Sequence, residues 1–163
     1  MLEKDEIRMI KKIGICVLYM QAQYYRIEDF MKVETKNQTQ ERAKPDTPYR
    51  IMTYNIGFGA YSADYSFFMD TGEMKDGTKT AGMHARAVSK EAEEKNTAGS
   101  LSVLQRQKAD FMFVQEVDEK ATRSYQVNQR AALEEGLSDY ACVFANNFHS
   151  AYLFYPFSEP HGS

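Results

Sequence analysis

Two stretches of this chain pattern as strands, and the segments around them pattern as helices. Tyr49 to Ile56 alternates and carries β-favouring residues, which predicts a strand. Phe111-Met112-Phe113-Val114 is apolar on both faces, which predicts a buried central strand. Between them, residues 84–95 are polar and charged, with good helix formers and no apolar stripe. Asn96 or Thr97 is the predicted cap of the helix that follows, whose buried face is marked by Leu101 and Leu104 with Val103 alongside. Lys108-Ala109-Asp110 closes that helix and leads straight into the second strand.

Gln126 to Gly136 predicts a further helix, with Ala131, Ala132 and Leu133 inward and Gly136 as its C-cap. Tyr140 to Ala145 predicts a third strand, broken by Asn146-Asn147, and Tyr152 to Phe157 a fourth. Gly57 and Gly59 bracket Phe58 in a loop, and Lys75-Asp76-Gly77-Thr78 is a turn. The alternation of strand and helix argues for an α/β layered domain.

The N-terminal part divides from the rest. Residues 34–48 are polar with two prolines, Pro45 and Pro48, and read as a linker. Before them, Lys4, Arg8, Lys11 and Lys12 precede the apolar run Ile13 to Met20. A basic flank and an apolar run are leader-like. The run is far shorter than the roughly 20 residues that span a bilayer. No small-x-small cleavage pattern follows, and Ile15 before Cys16 does not suit a lipoprotein site. Two readings of residues 1–33 stand: a short amphipathic or buried helix, or a shortened anchor or leader of extracytoplasmic ancestry. On the second, residues 1–30 would tether the domain to a lipid surface. Residues 49–163 form the remaining unit.

Composition adds limits. A chain of 163 residues suits one domain with a sizeable core. Its net charge of -3 provides no global basic field, which disfavours nucleic acid as a partner. Cys16 and Cys142 lie far apart and show neither metal-ligand spacing nor a disulfide framework, so they read as free thiols. Eleven Tyr and ten Phe supply rings for a core or a groove.

The chemistry concentrates at two strand ends. Asn55 ends the first strand and Glu116 the second. Side by side in one sheet, they would place an amide and a carboxylate on one rim. A carboxylate after a buried strand needs a cation or donors to offset its desolvation. Magnesium takes hard oxygen ligands, one or two carboxylates plus substrate phosphate, and Glu116 suits that role. An amide such as Asn55 can donate to a phosphate oxygen. Arg123, in the charged loop after Asp118, can fork onto a phosphate or stand as a solvated arginine. His84 reads as solvated, His149 as able to reach a groove, and His161 lies near Ser163.

Thr53-Tyr54-Asn55-Ile56-Gly57 together with Phe113-Val114-Gln115-Glu116-Val117-Asp118 resembles the opening of the endonuclease/exonuclease/phosphatase superfamily. That group comprises metal-dependent phosphodiesterases, DNase I-like nucleases and neutral sphingomyelinases among them. Gly57 to Tyr61, Phe67 to Asp70 and Arg123 to Gln129 resemble one bacterial branch, over residues 49–161. The resemblance implies a two-layer β-sandwich flanked by helices, with Glu116 as ligand to Mg2+ or Mn2+ and Asn55 in the active site. Some relatives carry an acid two positions after that asparagine; here Gly57 stands there. The family's Gly-Asp-x-Asn and Ser-Asp-His motifs do not occur, and no histidine lies in the context that supplies its general base.

The expectation is therefore the N-terminal half of a phosphoester hydrolase, inactive as this chain, with one sheet face unpartnered and prone to self-association. The alternatives are a non-catalytic binding remnant and a membrane-associated module. The substrate stays open between DNA, a phospholipid-type head group and a small phosphoester. The negative charge and the apolar N-terminus lean away from nucleic acid.

Overall fold

The computed structural model describes residues 4–163. It is a mixed α/β structure in which two parallel strands, one long helix and one short helix surround the core. The order is α1 (Lys4–Ala22), β1 (Thr35–Lys36), β2 (Ile51–Asn55), β3 (Thr71–Glu73), β4 (Lys79–Ala81), α2 (Lys90–Gln107), β5 (Phe111–Gln115), α3 (Gln129–Gly136) and β6 (Cys142–Val143). Single 3-10 turns occupy Gly57–Gly59 and Thr122–Ser124.

β2 and β5 pair in parallel, from Ile51 opposite Phe111 to Asn55 opposite Gln115. Parallel neighbours need a crossover, and α2 supplies it. Alternation sends Met52, Tyr54, Met112 and Val114 to the side packed on Ile56, Leu104 and Leu133. The other side, with Ile51, Phe111 and Phe113, is open. The second strand is thus half-buried rather than buried on both faces, because only one layer of helices covers the sheet. At the far end of the pair, the Arg50 N–H donates to Asp110 Oδ2 at 2.7 Å and Arg50 Nη1 to the Gln107 carbonyl at 2.9 Å.

α2 starts six residues before Asn96, the nearer of the two caps read from the sequence. Ser89 is the N-cap, extended at φ -160 and accepting the Ala92 N–H at 3.1 Å. Its buried positions are Glu93, Thr97, Ser100 and Leu104, a helical stripe that is mostly polar. A search for apolar periodicity cannot see such a stripe, which is why residues 90–96 carried no burial signal. Lys108, in the left-handed region at φ 47, ends the helix.

α3 is shorter than expected, since Asn128 caps it by accepting the Ala131 N–H at 2.9 Å. Leu133 is buried as expected, but Ala131 faces solvent. Of the predicted third strand only Cys142–Val143 forms, and it pairs antiparallel with Thr35–Lys36 rather than joining the central pair. The polar stretch 34–48 therefore contributes a strand. Residues 152–157 form no regular strand: one bridge joins Leu153 to Gly162, and Pro156 has no N–H to extend a ladder. The turn at 75–78 closes the β3–β4 hairpin, with Gly77 at φ 85.

α1 buries none of its residues: Ile13 is 56% and Leu18 70% exposed. No helix among the described residues is long and apolar enough to cross a membrane.

Two substitutions separate the buried side of this layer from its open side. Leu104→Ala is expected to cost about 2–5 kcal/mol, because the side chain is fully enclosed. Phe113→Ser, on the open face, should change stability by no more than about 0.5 kcal/mol. Urea midpoints would read both; equal losses would contradict the one-sided core. Gly99→Ala, in mid-α2 with nothing within 4 Å of an added Cβ, should stabilise by about 0.5–1 kcal/mol on helix propensity.

Candidate functional site

Each strand of the parallel pair ends in a sharp turn with unusual backbone. After Asn55, Gly57, Phe58 and Gly59 all take positive φ, at 56, 42 and 69. After Gln115, Glu116 takes φ 55. Phe58 and Glu116 are non-glycine residues in the left-handed region, a conformation that costs of order 1–3 kcal/mol and concentrates at functional sites. The two turns hold each other: the Ile56 N–H donates to the Gln115 carbonyl at 3.0 Å, and the Phe58 N–H to the Glu116 carbonyl at 3.0 Å.

This geometry brings Asn55 and Glu116 together. Asn55 Nδ2 donates to Glu116 Oε1 at 2.8 Å, and Asn55 Oδ1 accepts the Gly57 N–H at 2.8 Å. Both side chains are exposed at the rim. Glu116 Oε2 has no partner among the described residues. The amide therefore fixes one carboxylate oxygen and leaves the other pointing at solvent.

Arg123 sits elsewhere. Its Nε and Nη2 fork onto Asp118 at 2.9 and 2.8 Å, and Ser124 Oγ donates to the same carboxylate at 2.9 Å. Its guanidinium lies 4.2 Å from the centre of the Phe58 ring. It is not a solvated loop arginine: Asp118 holds the Nε–Nη2 edge of its guanidinium, and no partner is found for Nη1 among the described residues.

Beneath the turns lies a buried polar node. Gln129 Nε2 donates to Glu93 Oε1 and to Thr97 Oγ1, both at 2.8 Å, and Thr97 Oγ1 donates to Glu93 Oε1 at 2.7 Å. Gln129 Oε1 accepts the Asp118 N–H at 2.9 Å. A Cβ on Gly59 would fall 2.7 Å from Glu93 Oε1, so glycine is what allows the turn to rest on the node. Glu93 is wholly buried, every donor goes to Oε1, and Oε2 has no partner. Burial pushes its carboxyl above the ordinary range, only partly offset by the Thr97 and Gln129 hydrogen bonds.

A groove of about 720 Å³ opens between the rim and α2. Asn55, Glu116 and Tyr61 line it together with Lys95 and Gly99 of α2. Tyr61 is more than half exposed, yet partial desolvation and then the charges of Glu116 and Asp70 hold its phenol above the usual value. Sequence reading missed Lys95 and Tyr61, because their place depends on the phase of α2 and the path of an irregular loop. Glu93 gave no signal, and Gln129 entered as the last residue of the segment 123–129, with no role assigned to it.

No histidine lines the groove. His84 is half-buried, its Nδ1 3.7 Å from Glu159 Oε2. His149 meets only the edge of Tyr25, at 5.2 Å between ring centres. His161 contacts the Ala85 carbonyl through Nδ1 and packs edge-on to Phe58 at 5.9 Å, and burial pushes its pKa down. Among the described residues no three His, Cys, Asp or Glu side chains converge on one point. Mg2+ commonly uses one or two carboxylates, with water and substrate phosphate completing its shell, so the free Glu116 oxygen fits one such ligand position.

The chain matches no protein-family model, no curated protein and no solved structure.

Glu93 predicts a pH dependence of stability. Its folded pKa is raised above that of the unfolded chain, so its contribution is fully present below about pH 4.3 and is lost as pH rises through the folded value. The stability of the wild type relative to Glu93→Gln should therefore fall as pH rises from about 4. Urea midpoints across pH 4–9 would show it; a pH-independent difference would mean that Glu93 is not held protonated by folding.

Proposed function

We propose that the joined rim of β2 and β5 is a site for a divalent cation and a phosphoester, of the kind used by metal-dependent phosphodiesterases and phosphatases. One observation carries this reading: Asn55 Nδ2 fixes Glu116 Oε1 at 2.8 Å and leaves Oε2 unpartnered at an exposed strand end. The strained turns beside it supply the second support. A bound Mg2+ or Mn2+ would polarise the phosphate oxygen and offset its charge. Glu116 would supply a ligand oxygen. Asn55 would orient that carboxylate and keep its remaining amide hydrogen for the phosphate.

Turnover also needs a group that accepts a proton from the attacking water. No histidine lines the groove, and its one carboxylate is the ligand Glu116. This favours a second reading for the chain as it stands, in which the site binds without efficient hydrolysis. Membrane association rests only on the exposed, partly apolar α1, and self-association only on the open face of β2 and β5. Both stand behind the rim in weight.

Calorimetric titration of the chain with Mn2+ tests the site. Saturable binding is expected in the wild type and should be abolished by Glu116→Gln, which keeps the acceptor for Asn55. Asn55→Ala should weaken it on the order of tenfold, as the loss of a group that orients a ligand does. Unchanged Mn2+ binding in Glu116→Gln would sink the proposal. Measurable cleavage of bis-p-nitrophenyl phosphate that disappears in Glu116→Gln would favour the enzyme over the binding reading.

A further inference from the structure

Lys95, Gly99 and Val103 stand four residues apart on α2 and line one wall of the groove whose other wall is Tyr54 to Gly57 with Glu116. Positions four apart share a helix face, so the three form one row. Lys95 has no ion pair or hydrogen bond among the described residues, whereas Lys90, five residues earlier, reaches Glu94 at 3.6 Å. Lys95 is the one Lys or Arg in the lining of this groove among the described residues.

Gly99 is the second, independent sign. A glycine in mid-helix weakens the helix, and nothing lies within 4 Å of the Cβ it lacks. Neither packing nor backbone conformation requires glycine there. What its missing side chain does is keep the groove wall open between Lys95 and Val103.

We propose that this groove is a recognition cleft for a small phosphoester: Lys95 takes the phosphate as a point charge, and the row Gly99–Val103 takes the organic group. The proposal rests on the divalent-cation reading for the position of the phosphate beside Glu116. A phosphate next to Glu116 alone would be repelled; a cation on Glu116 Oε2 and Lys95 across the groove reverse that sign. A volume of about 720 Å³ falls in the range of small-molecule sites. A nucleic-acid strand is held by many phosphate contacts, and this groove presents a single lysine. A compact ligand with one phosphate and an organic group about one ring in size matches both the charge and the space.

The test titrates the full chain, with Mn2+ present, with inorganic phosphate and with p-nitrophenyl phosphate. The wild type should bind p-nitrophenyl phosphate more tightly than inorganic phosphate. Lys95→Gln should weaken both by about tenfold, the usual worth of a charge-assisted hydrogen bond. Gly99→Leu, which puts a good helix former in place of glycine, should bring p-nitrophenyl phosphate down to the level of inorganic phosphate and leave the latter unchanged. Circular dichroism and thermal melts of both variants establish that the fold is kept. Wild-type affinities in Lys95→Gln, or a preserved preference in Gly99→Leu, would overturn the cleft, as would the absence of saturable binding by the wild type. Binding that depends on Lys95 but is indifferent to Mn2+ and to Glu116→Gln would remove the cation reading and keep the cleft's anion site. Binding that depends on Mn2+ and Glu116 but not on Lys95 or Gly99 would do the reverse.

Discussion

A single glutamine amide joins the parts of this molecule that must stay in register. Gln129, at the start of α3, bonds through Nε2 to Glu93 and Thr97 of α2, and through Oε1 to the backbone of Asp118. Its own N–H donates to the Asp118 carbonyl at 2.9 Å. Two helices and the loop after β5 thus meet at one buried point, with the Gly57–Gly59 turn resting on top. In a low-dielectric interior such bonds are strong when complete and costly when incomplete. The unpartnered Glu93 Oε2 makes this node tense as well as rigid: its cost falls if the carboxyl keeps its proton.

The rim inherits its geometry from that node. Asn55 and Glu116 approach because their strands are parallel neighbours, but their fine placement comes from the two turns. The Gly57–Gly59 turn is held from below by the close approach of Gly59 to Glu93 and from the side by the Asn96 Nδ2 donation to the Gly59 carbonyl at 2.9 Å. The loop after Glu116 is held by Gln129 and by the Asp118–Arg123 fork. Arg123 then lies against Phe58, and thus ties the second loop to the first turn through Asp118 and Phe58. Lys95 is the one Lys or Arg in the lining of the groove among the described residues.

The same layer explains the open side of the sheet. Helices cover only the face of β2 and β5 that bears Met52, Tyr54, Met112 and Val114. Ile51, Phe111 and Phe113 stay exposed, and the Tyr49 ring meets Phe111 edge-on at 5.7 Å. A two-stranded sheet with one bare apolar face has little of the burial that usually stabilises strands. Its stability therefore leans on the single packed face and on the polar node behind it.

The sequence by itself determined the two strands, the helical nature of the segments between and after them, the hairpin turn at 75–78, and the pairing of Asn55 with Glu116 at one rim. These rest on local signals, namely strand alternation, apolar runs and glycine punctuation, and a parallel pair carries its two C-terminal ends to the same edge. Only the tertiary structure decided the rest. The start of α2 and its buried stripe were hidden because burial there is polar, and hydrophobic periodicity reports only apolar faces. The placement of Thr35–Lys36 against Cys142–Val143 joins residues too few and too distant to leave a pattern. The capture of Arg123 by Asp118, and the place of Lys95 in the lining of the groove, depend on how the helix is rotated about its axis and on how a loop closes. Those are properties of long-range packing, and no local stretch of residues encodes them.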